Sequence, residues 1–121
     1  MRVVVPCETS EGLTSMRSGH FGHAPWLCVA DFDDEMNLVK VESVRNADHD
    51  VAGCGGVIQH VMNLDADAII AAGMGMPPLM RFTQAGVVVY VDRTVPGVGD
   101  VIAKFLAGDV VRMSPDDACR H

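Results

Sequence analysis

Three aliphatic runs, Val3 to Val5, Ala66 to Ala72 and Val87 to Val91, constrain this chain more than any other feature. A strand with one wet face alternates apolar and polar residues; these runs do not, so each reads as a strand buried on both faces. Such strands lie inside a sheet that helices cover on both sides. The intervening segments supply the helices. From Gly53 onward, Val57, Ile58, Val61, Met62 and Leu64 share one face of a 3.6-residue period, with Gln59 and Asn63 opposite. Pro77 to Gln84 reads as a short helix opened by proline and closed by Gly86. Val98, Val101, Ile102, Phe105 and Leu106 mark a third helix, stopped by Gly108.

Before the first helix, Trp26 to Phe32 and Leu38 to Val44 read as two more strands, and the turn Asp33-Asp34-Glu35 makes them an antiparallel hairpin. Helical crossovers make the three buried strands parallel. The expected fold class is therefore α/β, with a five-strand mixed sheet of order 3-2-1-4-5 and three helices. With 121 residues, 49% hydrophobic and 5% aromatic, the chain suits one aliphatic core. We expect a single domain over 1–121, with a core of about 1–108 and a tail, 109–121. From Ser114 to His121 the tail shows no apolar period and is expected to fray.

Open α/β sheets bind ligands beyond the carboxyl ends of their parallel strands. Three glycine-rich segments are expected to gather there: Ser18 to Pro25, Gly53 to Gly56, and Gly73 to Pro77. They carry imidazole, thiol and thioether groups, which suit copper, zinc, iron or sulfide-bridged clusters better than Ca²⁺ or Mg²⁺. His20 and His23 are spaced to share a metal or to donate to an anion; the plainer reading is a loop anchored by Phe21, with Gly22 taking an unusual angle and the imidazoles solvated. Cys54, at the expected helix start, is either a stabilised thiolate or a small residue packed in a tight turn. Met74, Met76 and Met80 form a thioether patch or fill the core. Backbone amides of Gly53, Gly55, Gly73 and Gly75 are placed to face an anion, and Arg17 and Arg45 to neutralise one. Asn46, Asp48, His49 and Asp50 precede the first helix, where they either orient a ligand or solvate a turn. The candidate cofactor contacts are Arg17, His20, His23, His49, Gly53, Cys54, Gly55, Gly73, Met74 and Gly75; the candidate metal ligands are His20, His23, Cys54, Met74 and Met76.

Net charge is −7, which opposes binding to nucleic acid or an anionic membrane while leaving room for a small anion at a focused site. Cys7, Cys28, Cys54 and Cys119 form no Cys-x-x-Cys pair, and a disulfide framework is not expected. The apolar run after Met1 is too short for a signal core, so the expected location is cytoplasmic. Neither Gly-x-Gly-x-x-Gly nor a Walker lysine is present. A metal-dependent hydrolase or nuclease is the rival reading, but it needs converging carboxylates, and Asp31 and Glu42 have no evident partners. A regulatory interaction module is a third.

Taken in order, Val3-Val4-Val5-Pro6, the His20 to Pro25 segment, Gly53-Cys54-Gly55, Gly73-Met74-Gly75 and Ala85-Gly86-Val87 resemble the nitrogenase iron-molybdenum cofactor biosynthesis family, from Met1 to about Leu106. The resemblance implies a small ribonuclease H-like domain that binds or carries a metal-sulfur cluster. In a related group, the orange proteins, the cluster is a molybdenum-copper sulfide held without covalent attachment. It further implies an anionic molybdenum-containing cluster, with copper or iron, as the bound species, and a protein partner for its delivery. No fused radical-enzyme domain accompanies this chain, so a non-catalytic carrier or store is expected rather than the enzyme that builds the cluster.

Overall fold

The structure, a computed structural model, describes residues 1–47 and 49–117, with only the backbone described for 49–54. Among the described residues there are six strands and three α-helices: β1 (Arg2–Cys7), β2 (Trp26–Phe32), β3 (Leu38–Arg45), α1 (His49–Met62), β4 (Ala68–Ala71), α2 (Met76–Gln84), β5 (Val88–Val91), α3 (Val98–Leu106) and β6 (Val111–Arg112). They form one mixed sheet of order β3-β2-β1-β4-β5-β6. β1 pairs with β4 and β4 with β5 in parallel; β1–β2, β2–β3 and β5–β6 are antiparallel. The sheet thus has six strands, not the expected five. The added strand is two residues long, Val111 and Arg112 against Val91 and Tyr90. Two residues carry no period, so the sequence gives no sign of it.

The start of the tail, expected from the sequence to fray, forms a short turn over Pro115–Asp117. Met113 is buried, and Asp117 Oδ2 accepts hydrogen bonds from the amide and hydroxyl of Ser114, closing a turn; residues 118–121 lie outside the described residues.

Helix α1 also departs from expectation. It begins at His49, four residues before the Gly53 start, so Gly53, Cys54 and Gly55 lie within the helix instead of in a turn ahead of it. Glycine inside a helix costs about 1 kcal/mol relative to alanine, too little to stop one whose later turns are buried.

Side chains alternate across the sheet and build two cores. On one face Val4, Leu27, Val29, Ile69, Val89 and Val91 meet Val57, Ile58 and Val61 of α1 and Leu79 and Phe82 of α2. On the other, Val3, Val5, Cys28, Ala30, Ala68 and Ile70 meet Val98, Val101 and Ile102 of α3. Gly86 (φ +85°) and Gly108 (φ +78°) follow α2 and α3 in the left-handed conformation that ends a helix. A close approach requires Gly99: a Cβ there would lie 3.0 Å from the carbonyl oxygen of Leu13, in the 3-10 turn Gly12–Thr14 that lies against α3. No helix among the described residues is long and apolar enough to cross a membrane.

Candidate functional site

The carboxyl ends of β1, β4 and β5 open onto three connections: 8–25, 72–75 and 92–97. Main-chain hydrogen bonds tie the first of these to the other two. Phe21 N–H donates to Gly73 O (3.1 Å), Ser18 N–H to Pro6 O (3.1 Å) and Arg17 N–H to Pro96 O (2.7 Å). The structure therefore brings together the His-Phe-Gly-His and Gly-Met-Gly segments, as the sequence suggested.

Phe21 explains why the loop holds its path. Its ring is buried and meets Phe82 edge-on, with centroids 5.4 Å apart. Asn46, just before α1, is buried, and its side-chain amide donates to the carbonyls of Ala24 (2.9 Å) and Phe21 (3.4 Å). The buried Ser18 hydroxyl donates to His20 O and accepts from His20 N–H. With the backbone so fixed, the side chains of His20 and His23 lie at the exposed rim.

Arg17 takes a different place from the open cation expected. Its side chain is 4% exposed and runs under the loop to Asp92, at the end of β5: Nη1 lies 3.6 Å from Asp92 Oδ1 and donates to Val95 O at 3.1 Å. Burial lowers its pKa, against the opposing charge of Asp92. Nη2 is buried and finds no hydrogen-bond partner among the described residues, a costly condition for a charged donor. Asp92 accepts from Lys104 Nζ at 2.6 Å and from the amide and hydroxyl of Thr94. Burial alone would raise its carboxyl pKa; the hydrogen bonds from Lys104 and Thr94, with the Lys104 charge, outweigh that and hold it at about 2. Sequence reasoning missed Asp92 and Lys104. The available signal was a carboxylate directly after a buried parallel strand, where such sheets place functional groups.

The remaining candidates divide. Met74 is 2% exposed and packs in the core beside Phe21 and Phe82, the position of a space filler. Met76 and Met80 are exposed on α2. Gly75 caps α2, but Pro77 and Pro78 have no N–H and Leu79 N–H returns to Gly75 O, so that helix start offers an anion fewer amides than its glycines suggested. Gly53, Gly55 and Cys54 belong to α1, past the first four residues, whose amides a helix leaves unpaired. The side chains of His49 and Cys54, like Asp48, lie outside the described residues. Arg45 stacks over Trp26, 5.8 Å from the ring centre. Asp31 is paired with Arg2, and Glu42 sits on exposed β3 beside Lys40. Among the described residues, no three His, Cys, Asp or Glu side chains converge as a metal site would require.

What the arrangement offers is a pair of exposed imidazoles on a loop fixed beside Gly73, with no converging set of metal ligands among the described residues. A putative-NifB-type structure from Thermotoga, of the DUF35 family, shares 29% identity and a TM-score of 0.73, covering 92% of this chain and 91% of its own. The apo orange protein of Desulfovibrio gigas superposes with TM-score 0.78 at 23% identity over 93% of this chain and 92% of that one, a likeness of fold. A dinitrogenase candidate from Methanocaldococcus jannaschii shares the fold at TM-score 0.73 and 14% identity, covering 94% and 95%. No curated protein matches by sequence. The family model for dinitrogenase iron-molybdenum cofactor proteins matches residues 1–108, and the chain belongs to that family.

Proposed function

We propose that this protein binds an anionic, molybdenum-containing metal-sulfur cluster, with copper or iron as the second metal, and stores or delivers it as cargo without chemical turnover. In this reading, residues 1–121 act as one cytoplasmic cluster-binding unit on a ribonuclease H-like sheet, with core 1–108 and tail 109–121, and a protein partner takes the cluster onward. One observation carries it: the loop bearing the exposed His20 and His23 is bonded to Gly73 at the carboxyl end of the parallel strands. The family match supports the choice of cargo.

The division of labour follows from the geometry. His20 and His23, at the rim, donate to sulfide or oxo groups. Arg17, buried and paired with Asp92, ties the loop to the 92–97 connection through Val95 O. Exposed Met76 is the soft donor nearest the Gly73–Gly75 segment in sequence, and Cys54 remains a thiolate candidate from α1. The test is anaerobic titration with tetrathiomolybdate, alone and with Cu(I), followed by absorption and elemental analysis. Saturable uptake at fixed stoichiometry, weakened by His23→Ala and by salt, is expected. Absence of saturable uptake under both conditions refutes the reading.

A further inference from the structure

The outer edge of β3 carries a pattern that the cluster site does not use. β3 ends the sheet, and Leu38, Val39 and Val41 are exposed there, Val39 at 62%. The direction of its backbone groups can be worked out. Asn46 N–H donates to Pro25 O at 3.0 Å, and this pair continues the register Trp26↔Arg45, Leu27↔Val44, Val29↔Glu42. In an antiparallel ladder, hydrogen-bonded pairs alternate with non-bonded ones, so Val44, Glu42 and Lys40 turn their backbone groups toward β2, while Val41, Ser43 and Arg45 turn theirs outward. The Arg45 carbonyl confirms the phase: it is met by His60 Nε2 at 2.9 Å, not by β2. At the other end the register slips between Asp31 and Phe32, so the regular ladder ends at Lys40, Val39 sits in the bulge, and the outward phase is fixed at Val41 and Ser43.

We propose that this edge pairs antiparallel with the same edge of a second copy of the chain, about a two-fold axis through Val41. The outward phase restricts self-pairing to registers that join outward residues. Centring on Val41 sets Val41 against Val41 and Val39 against Ser43, and puts Lys40 of each copy opposite Glu42 of the other. These are non-bonded pairs, where facing side chains lie closest. Sliding to the neighbouring allowed registers sets Lys40 against Lys40 or Glu42 against Glu42. Charge therefore selects one register and supplies two complementary pairs. Within each copy Lys40 and Glu42 already lie 3.8 Å apart, both exposed, so the four charges form an alternating square. The segment is short, so the dimer is weak and concentration-dependent.

A lysine on an edge strand can instead be a guard against association. Charge swaps separate the two roles. Sedimentation equilibrium from about 10 µM to 1 mM should show wild-type mass rising above 12.9 kDa toward twice that value. Lys40→Glu and Glu42→Lys, each facing like charges, should weaken self-association about tenfold or more. The double variant K40E/E42K should restore it, and the two single variants should associate with each other when mixed. Val41→Pro removes an outward N–H without touching the β2 ladder and should abolish pairing; circular dichroism checks that each variant is folded. A wild type that stays monomeric across the range, a double variant no better than the singles, or association unchanged in Val41→Pro overturns the proposal.

Discussion

Replacing Asp92 by Asn tests whether the buried charge cluster beneath the loop stabilises the fold. The carboxylate pKa is depressed from 3.8 to about 2, close to two units. At about 1.4 kcal/mol per unit this amounts to roughly 2 kcal/mol. Because the folded pKa lies below the unfolded one, that stability is complete above pH 3.8 and is lost as pH falls toward 2. Substitution at neutral pH does more than remove this increment, since it leaves the Arg17 guanidinium, 4% exposed, buried without its counter-ion. Breaking a buried pair typically costs about 3–5 kcal/mol. Lys104, 28% exposed, can regain water, and Asn can still accept from Thr94, so we expect about 2–4 kcal/mol for Asp92→Asn at pH 7. Urea unfolding of wild type and variant at pH 7, 4, 3 and 2.5 measures it. The gap between the two should narrow by about 1.3 kcal/mol between pH 4 and pH 2.5, and other carboxylates cancel in the difference. A gap that is small at pH 7, or constant across that window, refutes the account.

Phe21→Ala should cost about 3–5 kcal/mol by urea unfolding and should speed amide exchange through residues 18–25, since the ring anchors that loop on Phe82. Cys7 and Cys28 are buried thiols with pKa raised by burial, Cys28 to about 11, so native-state alkylation at pH 8 should spare both while the unfolded chain reacts fully, as read by mass-resolved labelling. Gly55→Ala should stabilise by about 0.5–1 kcal/mol, because nothing lies within 4 Å of the added methyl. Gly99→Ala should lose that gain or destabilise, because its methyl would press on the Leu13 carbonyl; thermal melts of the pair read the difference.

Most of the sheet was legible because burial writes directly into the chain: Val3 to Val5 and Val87 to Val91 read as strands, and Trp26 to Phe32 matches β2 end to end. Features set by partners distant in sequence were not. β6 exists because Val91 offers it an edge, and α1 starts early because its buried later turns outweigh the glycines at 53, 55 and 56. Within the site, the meeting of the His20–His23 loop with Gly73 followed from topology. The fate of Arg17 did not: its ion pair spans 75 residues of sequence to Asp92, a separation across which composition and period carry no information. Met74 looked soft and available in the chain, and only packing against Phe21 and Phe82 reveals it as core.

Beyond the Phe21 ring and the Ser18 hydroxyl, main-chain atoms of the loop hold it in place. Phe21, Ser18 and Arg17 attach it through their amides, and Asn46 grips two of its carbonyls. Gly19 has open space where a side chain would go, and His20 and His23 are exposed. Positions 19 and 20 can therefore be randomised together while the scaffold beneath keeps its path. A small library at those two sites, selected for retention of different thiometallates, would vary recognition with little penalty in folding.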